Sequence, residues 1–217
     1  MKQMTMTRRE IVAGGVALVA LSAVSSRFGQ AFAASSAPAV GAPAPDFKAT
    51  DSNGRTVSLA DLRGKTVVLE WTNDECPFVG KHYGGRNMQA LQTKWTAKDV
   101  VWLTVVSSPP GEQGYADAAK ANKLTADRGA APSAVLLDPA GDLGRLYRAQ
   151  VTPHMYVIKG DGTLAYMGGI DDKPSTRLED LKTAKNFVDA ALTDLAAGRP
   201  VATTTARPYG CTVKFTT

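Results

Sequence analysis

Cysteine and histidine are both scarce: the 217 residues hold two of each, Cys76 and Cys211, His82 and His154. Two cysteines are too few for a disulfide-stapled scaffold or a cysteine-rich zinc module. No apolar run reaches the roughly 18 residues of a membrane-spanning helix. No basic run exceeds two residues, and the net charge of +5 is unevenly spread. Within residues 1–33, Lys2, Arg8, Arg9 and Arg27 against Glu10 supply three of those charges, leaving +2 on the other 184. Nucleic-acid binding thus loses its electrostatic basis. Gly64-Lys65-Thr66 imitates the end of a phosphate loop, but the glycine required five positions earlier is Leu59. Gly-x-Gly-x-x-Gly, His-Glu-x-x-His and Gly-x-Ser-x-Gly signatures are missing as well. The sequence therefore calls for no cofactor and no metal. What is there, 44% apolar and 21% charged residues, suits one ordinary globular domain.

Residues 1–33 read as an export signal. Arg8-Arg9 directly precede a mildly apolar stretch, Ile11 to Val24, and Ala31-Phe32-Ala33 supplies the small residues of a cleavage site. The pair of arginines is similar to a twin-arginine signal; an ordinary secretory signal is the other reading. Either one predicts a periplasmic or otherwise exported protein, not membrane-spanning once processed, in a compartment where cysteines can be oxidised. Residues 34–44, rich in Ala, Ser, Pro and Gly, are expected to form a flexible leader. Residues 45–200 form the expected domain and 201–217 a C-terminal tail carrying Cys211.

Within the domain, Phe47–Thr50 and Arg55–Leu59 read as an N-terminal β-hairpin around Asp51-Ser52-Asn53-Gly54. Thr66–Thr72 and Val100–Val106 are nearly continuous apolar runs, which suits strands buried on both faces; Ala134–Leu137 is shorter. Met155–Ile158 and Thr163–Met167 flank a second hairpin turn. Helices are predicted from Pro77 to about Lys94, weakened at Gly84-Gly85, then over Tyr115–Leu124 and Gly141–Arg148. A last helix is read from the three- and four-residue spacing of Leu178, Leu181, Ala184, Phe187, Val188, Ala191, Leu192 and Leu195. The predicted class is α/β, a central mixed sheet flanked by helices.

Cys76 stands four residues after the first buried strand and directly before Pro77, a residue favoured at the first helical position. A thiol there faces free backbone N–H groups and the positive helix end, which stabilise the reactive thiolate and predict fast alkylation near neutral pH. A buried structural cysteine is the plainer alternative. Glu70, on the preceding strand, is a candidate proton carrier whose pKa burial would raise. A solvent-facing or Lys-paired glutamate is its plain alternative. Either histidine could support a thiolate, though a lone histidine is more often simply a half-buried polar residue.

Strand, Cys at a helix start, strand, helix, then Thr152-Pro153 opening a hairpin: this order resembles the thioredoxin fold. Ala44-Pro45-Asp46-Phe47 is similar to the start of the redoxin branch. Glu75-Cys76-Pro77-Phe78-Val79-Gly80-Lys81-His82-Tyr83, Thr152-Pro153-His154-Met155-Tyr156 and Pro208-Tyr209-Gly210-Cys211 resemble the peroxiredoxin-like subgroup of the alkyl hydroperoxide reductase and thiol-specific antioxidant superfamily. The resemblance implies Cys76, Cys211 and Glu70 as catalytic residues, with Pro77, Thr152, Pro153 and His154 binding substrate. It also implies a cis peptide before Pro153. Two departures stand out. The second cysteine of a thioredoxin Cys-x-x-Cys is Val79 here, and that is also where a peroxiredoxin carries its peroxidatic cysteine.

The leading expectation is an exported thiol–disulfide oxidoreductase or peroxiredoxin-like antioxidant protein. Its partners would be a thiol or disulfide protein, or a small-molecule peroxide, with an external reductant. A thioredoxin-fold copper-binding protein and a scaffold with an inert disulfide are the alternatives. One expectation joins fold to function. Val201, Tyr209, Val213 and Phe215 give the tail apolar handholds, so it should dock and set Cys211 beside Cys76, with Pro153 and His154 near.

Overall fold

The computed structural model describes residues 37–215. The export signal expected over residues 1–33 lies outside the described residues. Seven strands form the main sheet: β1 (Lys48–Asp51), β2 (Thr56–Ser58), β3 (Val67–Trp71), β4 (Val101–Val106), β5 (Ala134–Leu137), β7 (His154–Ile158) and β8 (Leu164–Gly168). Their order is β2-β1-β5-β4-β3-β7-β8, parallel for β3–β4–β5 and antiparallel elsewhere. Two short strands, β6 (Val151–Thr152) and β9 (Cys211–Thr212), pair separately. The helices are α1 (Pro77–Gly84), α2 (Asn87–Thr96), α3 (Ala118–Arg128), α4 (Asp142–Leu146) and α5 (Phe187–Ala196). This is the expected mixed α/β sheet.

All five residues of β3 are buried, as its continuous apolar run predicts for a strand covered on both faces. Strand alternation then divides the core. Val67, Leu69 and Trp71 share one face with Leu143 and Tyr147 of the α4 region. Val68 shares the other with Cys76 and Val79 of the α1 start, Trp95 of α2 and Leu192 of α5.

Two predicted helices are each divided. The helix expected over Pro77–Lys94 stops at Gly84, with Arg86 left-handed at φ 58, and restarts at Asn87. A β-carbon at Gly85 would collide with Leu181, so the break lets a 3-10 turn, Leu178–Lys182, pack closely against α1. The last helix begins at Phe187, capped by Asn186, whose side chain accepts the Asp189 N–H. Leu178 and Leu181 therefore belong to the 3-10 turn rather than to the α5 stripe, and Leu178 is 52% exposed.

Residues 37–44 were expected to be a flexible leader unable to bury a core. They dock instead. Gly41 donates to Leu164 O at 2.9 Å, Ala42 O accepts from Leu164 N–H at 2.9 Å, and Ala44 is buried. Farther along β8, Met167 N–H donates to Thr204 O at 3.1 Å and Gly169 N–H to Ala206 O at 3.4 Å. The outer edge of the sheet is thus covered by the leader at one end and the tail at the other.

Candidate active site

The chemistry of α1 begins with its cap. Cys76 is the residue before the helix, extended at φ −83 and ψ 120, and Pro77 occupies the first turn. A proline tolerates that position because its missing N–H would lack a helical partner anyway. Cys76 packs with Val79 on the α1 face of the sheet and is only 1% exposed. Its sulfur lies 3.2 Å from Thr152 O, to which the protonated thiol donates. The Thr152–Pro153 peptide is cis.

The tail completes the site. Val213 N–H donates to Gln150 O at 3.0 Å, and Cys211 lies opposite Thr152 in the β6–β9 ladder. The residue before it must be glycine. Gly210 has φ 142, and a β-carbon there would run into the Thr152 carbonyl. Both cysteines are free thiols, and Cys211 packs against the apolar cluster that holds Cys76. Burial pushes the Cys76 thiol up, but hydrogen bonds from the Cys211 thiol, the Thr152 side chain and backbone N–H groups outweigh it, and its pKa falls below the usual thiol value. The Val79 N–H faces the sulfur without forming a capping bond of normal geometry. Cys211 is pushed up to about 11, chiefly by burial and then by its bond to Cys76. Of the two thiols, Cys76 is therefore the one that ionises first.

Four predicted residues thus meet: Cys76, Pro77, Thr152 and Cys211, with Pro153 next in the chain. Glu70 and His154 do not join them. Glu70 is fully buried, and its carboxylate accepts from Trp102 Nε1 at 2.8 Å, Tyr83 Oη at 2.9 Å, Gln92 Nε2 at 3.1 Å and Thr104 Oγ1 at 3.4 Å. Burial raises its pKa against those donors, but its hydrogen bonds go to α1, α2 and β4 rather than to a thiol. The plain alternative of a solvent-facing or Lys-paired glutamate fails too. His154 alternates onto the opposite face, where its ring stacks on Tyr156 at 4.6 Å and Nδ1 meets Tyr156 Oη at 3.2 Å. Burial takes its pKa down to about 4. That placement removes it from substrate binding beside Cys76.

One cluster escaped the sequence reading. Lys81 is 2% exposed, and its ammonium donates to Lys173 O at 2.7 Å and Tyr209 Oη at 3.0 Å, with Asp171 Oδ2 at 3.5 Å. Tyr209 donates to Asp171 Oδ1. His82 Nδ1 accepts from Asn87 Nδ2 at 2.8 Å, which leaves its Nε2–H to face Tyr209 Oη at 3.2 Å. Burial holds His82 down to about 4 and also lowers Lys81, against the pull of Asp171. Phe78 meets the Tyr209 ring edge-on at 5.8 Å. The helix that follows Cys76 is thereby fastened to the tail two residues before Cys211. The sequence signal was present in Lys81-His82 and Tyr209, but nothing local distinguishes a buried lysine from a solvated one.

Residues 40–167 match the model of the AhpC/TSA family. The chain belongs to the AhpC/TSA family. The match covers Cys76 and Pro153 and stops before Cys211. Among curated proteins, nothing matches the chain. Among solved structures, an uncharacterized conserved protein of Geobacillus kaustophilus is 24% identical, covering 82% of this chain and 93% of its own, with a TM-score of 0.68. A hypothetical protein of Sinorhizobium meliloti 1021 is 20% identical, with 83% and 97% covered and a TM-score of 0.69. A protein proposed to be a disulfide isomerase, from Bacteroides thetaiotaomicron, is 20% identical, with 75% and 91% covered and a TM-score of 0.52. At these identities the likeness speaks for the fold alone, and that fold is thioredoxin-like. The family is one of redoxins.

Proposed function

We propose that this redoxin is an exported thiol–disulfide oxidoreductase in which Cys76 and Cys211 cycle between dithiol and disulfide. The observation that carries this reading is the register of β9, which sets Cys211 opposite Thr152 and its thiol against Cys76. A thiol of lowered pKa beside a second thiol favours the internal step that closes a disulfide between them. Two oxidants fit the reading. A substrate disulfide transfers its oxidation to the pair by exchange. A hydroperoxide would convert the Cys76 thiolate to sulfenic acid with loss of water or alcohol, and the Cys211 thiol would then displace water from it to close the disulfide. The family match supports the peroxide route, while Val79 stands where a peroxiredoxin has its own cysteine.

Copper binding has less to recommend it. Among the described residues no three His, Cys, Asp or Glu side chains gather to hold a metal, and each histidine is engaged away from the thiols. Export rests on Arg8-Arg9 and Ala31-Phe32-Ala33, and Arg8 and Arg9 both changed to Lys would block a twin-arginine route.

The decisive experiment follows turnover with a model disulfide protein and with hydrogen peroxide, each with an external thiol. Wild type is expected to turn over one or both, and Cys76→Ser neither. A wild-type protein inert toward both would leave a scaffold whose cysteines form an inert disulfide.

A further inference from the structure

The helix position and lowered pKa of Cys76 would by themselves make it the sulfur that meets an outside partner. Its surroundings argue against this. Cys76 is 1% exposed, with its sulfur against the Thr152 carbonyl, and the tail is firmly seated. Uncovering Cys76 would require lifting Gly210 from the Thr152 backbone, breaking the Val213–Gln150 hydrogen bond and drawing Tyr209 out of the Lys81–His82–Asp171 cluster. Cys211, by contrast, is partly exposed. An open groove of about 640 Å³, lined by Val151, Arg207, Pro208, Tyr209 and Gly210 among others, runs up to the residue before it.

Resting on the disulfide cycle proposed above, we infer that outside thiols exchange with this protein at Cys211, with Cys76 the internal partner of that exchange. In the oxidised protein an incoming thiolate attacks Cys211 Sγ. A new S–S bond forms between the reductant and Cys211, the Cys76–Cys211 bond breaks, and its electron pair stays on Cys76. A second thiolate then attacks the reductant's own sulfur, releasing reductant disulfide and leaving Cys211 to take a proton from water. Two thiols are oxidised to one disulfide and the protein disulfide is reduced to two thiols, so the exchange balances. Leaving-group chemistry favours the same direction, because the sulfur with the lower thiol pKa departs faster. The N–H groups and the Thr152 hydroxyl that face Cys76 receive its negative charge as it forms. The buried helix-start sulfur is then the leaving group, and the tail presents the electrophile.

The test uses the full chain, oxidised with diamide and freed of oxidant, then mixed with reduced glutathione. Samples are quenched at short times with N-ethylmaleimide and mapped by peptide mass spectrometry. Glutathione is expected on Cys211 and maleimide on Cys76, in about tenfold excess over the reverse pairing. Glutathione on Cys76, or equally on both, overturns the inference and leaves the disulfide cycle standing. Failure of diamide to join the two cysteines overturns the cycle itself. Single variants give a second reading through modification by glutathione disulfide. Cys76→Ser, with only Cys211, should be modified faster in the native protein than Cys211→Ser, and urea should abolish or reverse that order. A native Cys211→Ser protein modified the faster of the two would overturn the inference.

Discussion

Gly210 is the residue on which the approach of the two thiols turns. Its φ of 142 and its contact with the Thr152 carbonyl leave no space for a methyl group. Gly210→Ala should strain or lift the adjacent strand by about 1–3 kcal/mol. The expected result is slower closure of the Cys76–Cys211 bond under diamide, read by alkylation and gel shift; an unchanged rate would show that the close contact is dispensable. Cys211→Ala tests why Cys76 ionises before its neighbour. Removing the thiol that hydrogen-bonds Cys76 should raise the Cys76 pKa, measured from ultraviolet thiolate absorbance. If the pKa stays where it was, the other donors alone hold the thiolate. At this scale the sequence was readable wherever the chemistry is local. A cysteine followed by proline at a helix start needs no distant information. His154 was misplaced because strand alternation, not nearness in sequence to Pro153, decides which face it joins.

At the scale of elements, the α1–tail junction joins residues 90 to 128 positions apart, which no local spacing could reveal. Strands were legible because burial on both faces imposes a continuous apolar run. The two divided helices were harder, since their apolar stripes cross the breaks at Arg86 and at residues 183–186. The junction itself is polar and buried, so removing one member leaves others unpaired. Tyr209→Phe takes away the hydroxyl shared by Lys81, His82 and Asp171, and should destabilise the protein by about 1–3 kcal/mol in urea unfolding. Lys81→Met leaves the Asp171 carboxylate buried without its cation, and about 3–5 kcal/mol is expected. The reverse ranking would mean that the ammonium matters less than the phenol. Hydrogen exchange should show the loss of protection concentrated in β6 and β9.

For the whole molecule, acid sensitivity follows from the two histidines. Each is held near pKa 4 in the folded chain, against about 6.5 when unfolded. His82 is pressed by burial and Lys81 and drawn back by Asp171, with Tyr209 and Asn87 around it; His154 is held down by burial beside Tyr156. Between those pKa values the unfolded chain binds protons that the folded chain refuses. Stability is therefore full above about pH 6.5 and falls as the pH drops toward 4, by about 3 kcal/mol per histidine. Urea midpoints measured from pH 7 down to 5 should decline steadily, and His154→Gln should remove about half of the decline. A flat profile would contradict the buried neutral rings. The same buried surroundings explain why neither ring was available to the thiols, although both looked eligible from the sequence.

The covered edge of β8 has a consequence for solution behaviour. An uncovered strand edge offers its N–H and C=O groups to any other chain with an unpaired strand. Here residues 204–206 occupy that edge from the same tail that carries Cys211. Any substitution, proteolytic cut or bulky adduct that lifts the whole tail would free the backbone groups of Met167 and Gly169 to pair with a second molecule. Sheet-to-sheet dimers, and then larger species, would grow with protein concentration. Shelf life and redox competence would then decline together, because the segment that presents the second sulfur also keeps neighbouring molecules apart.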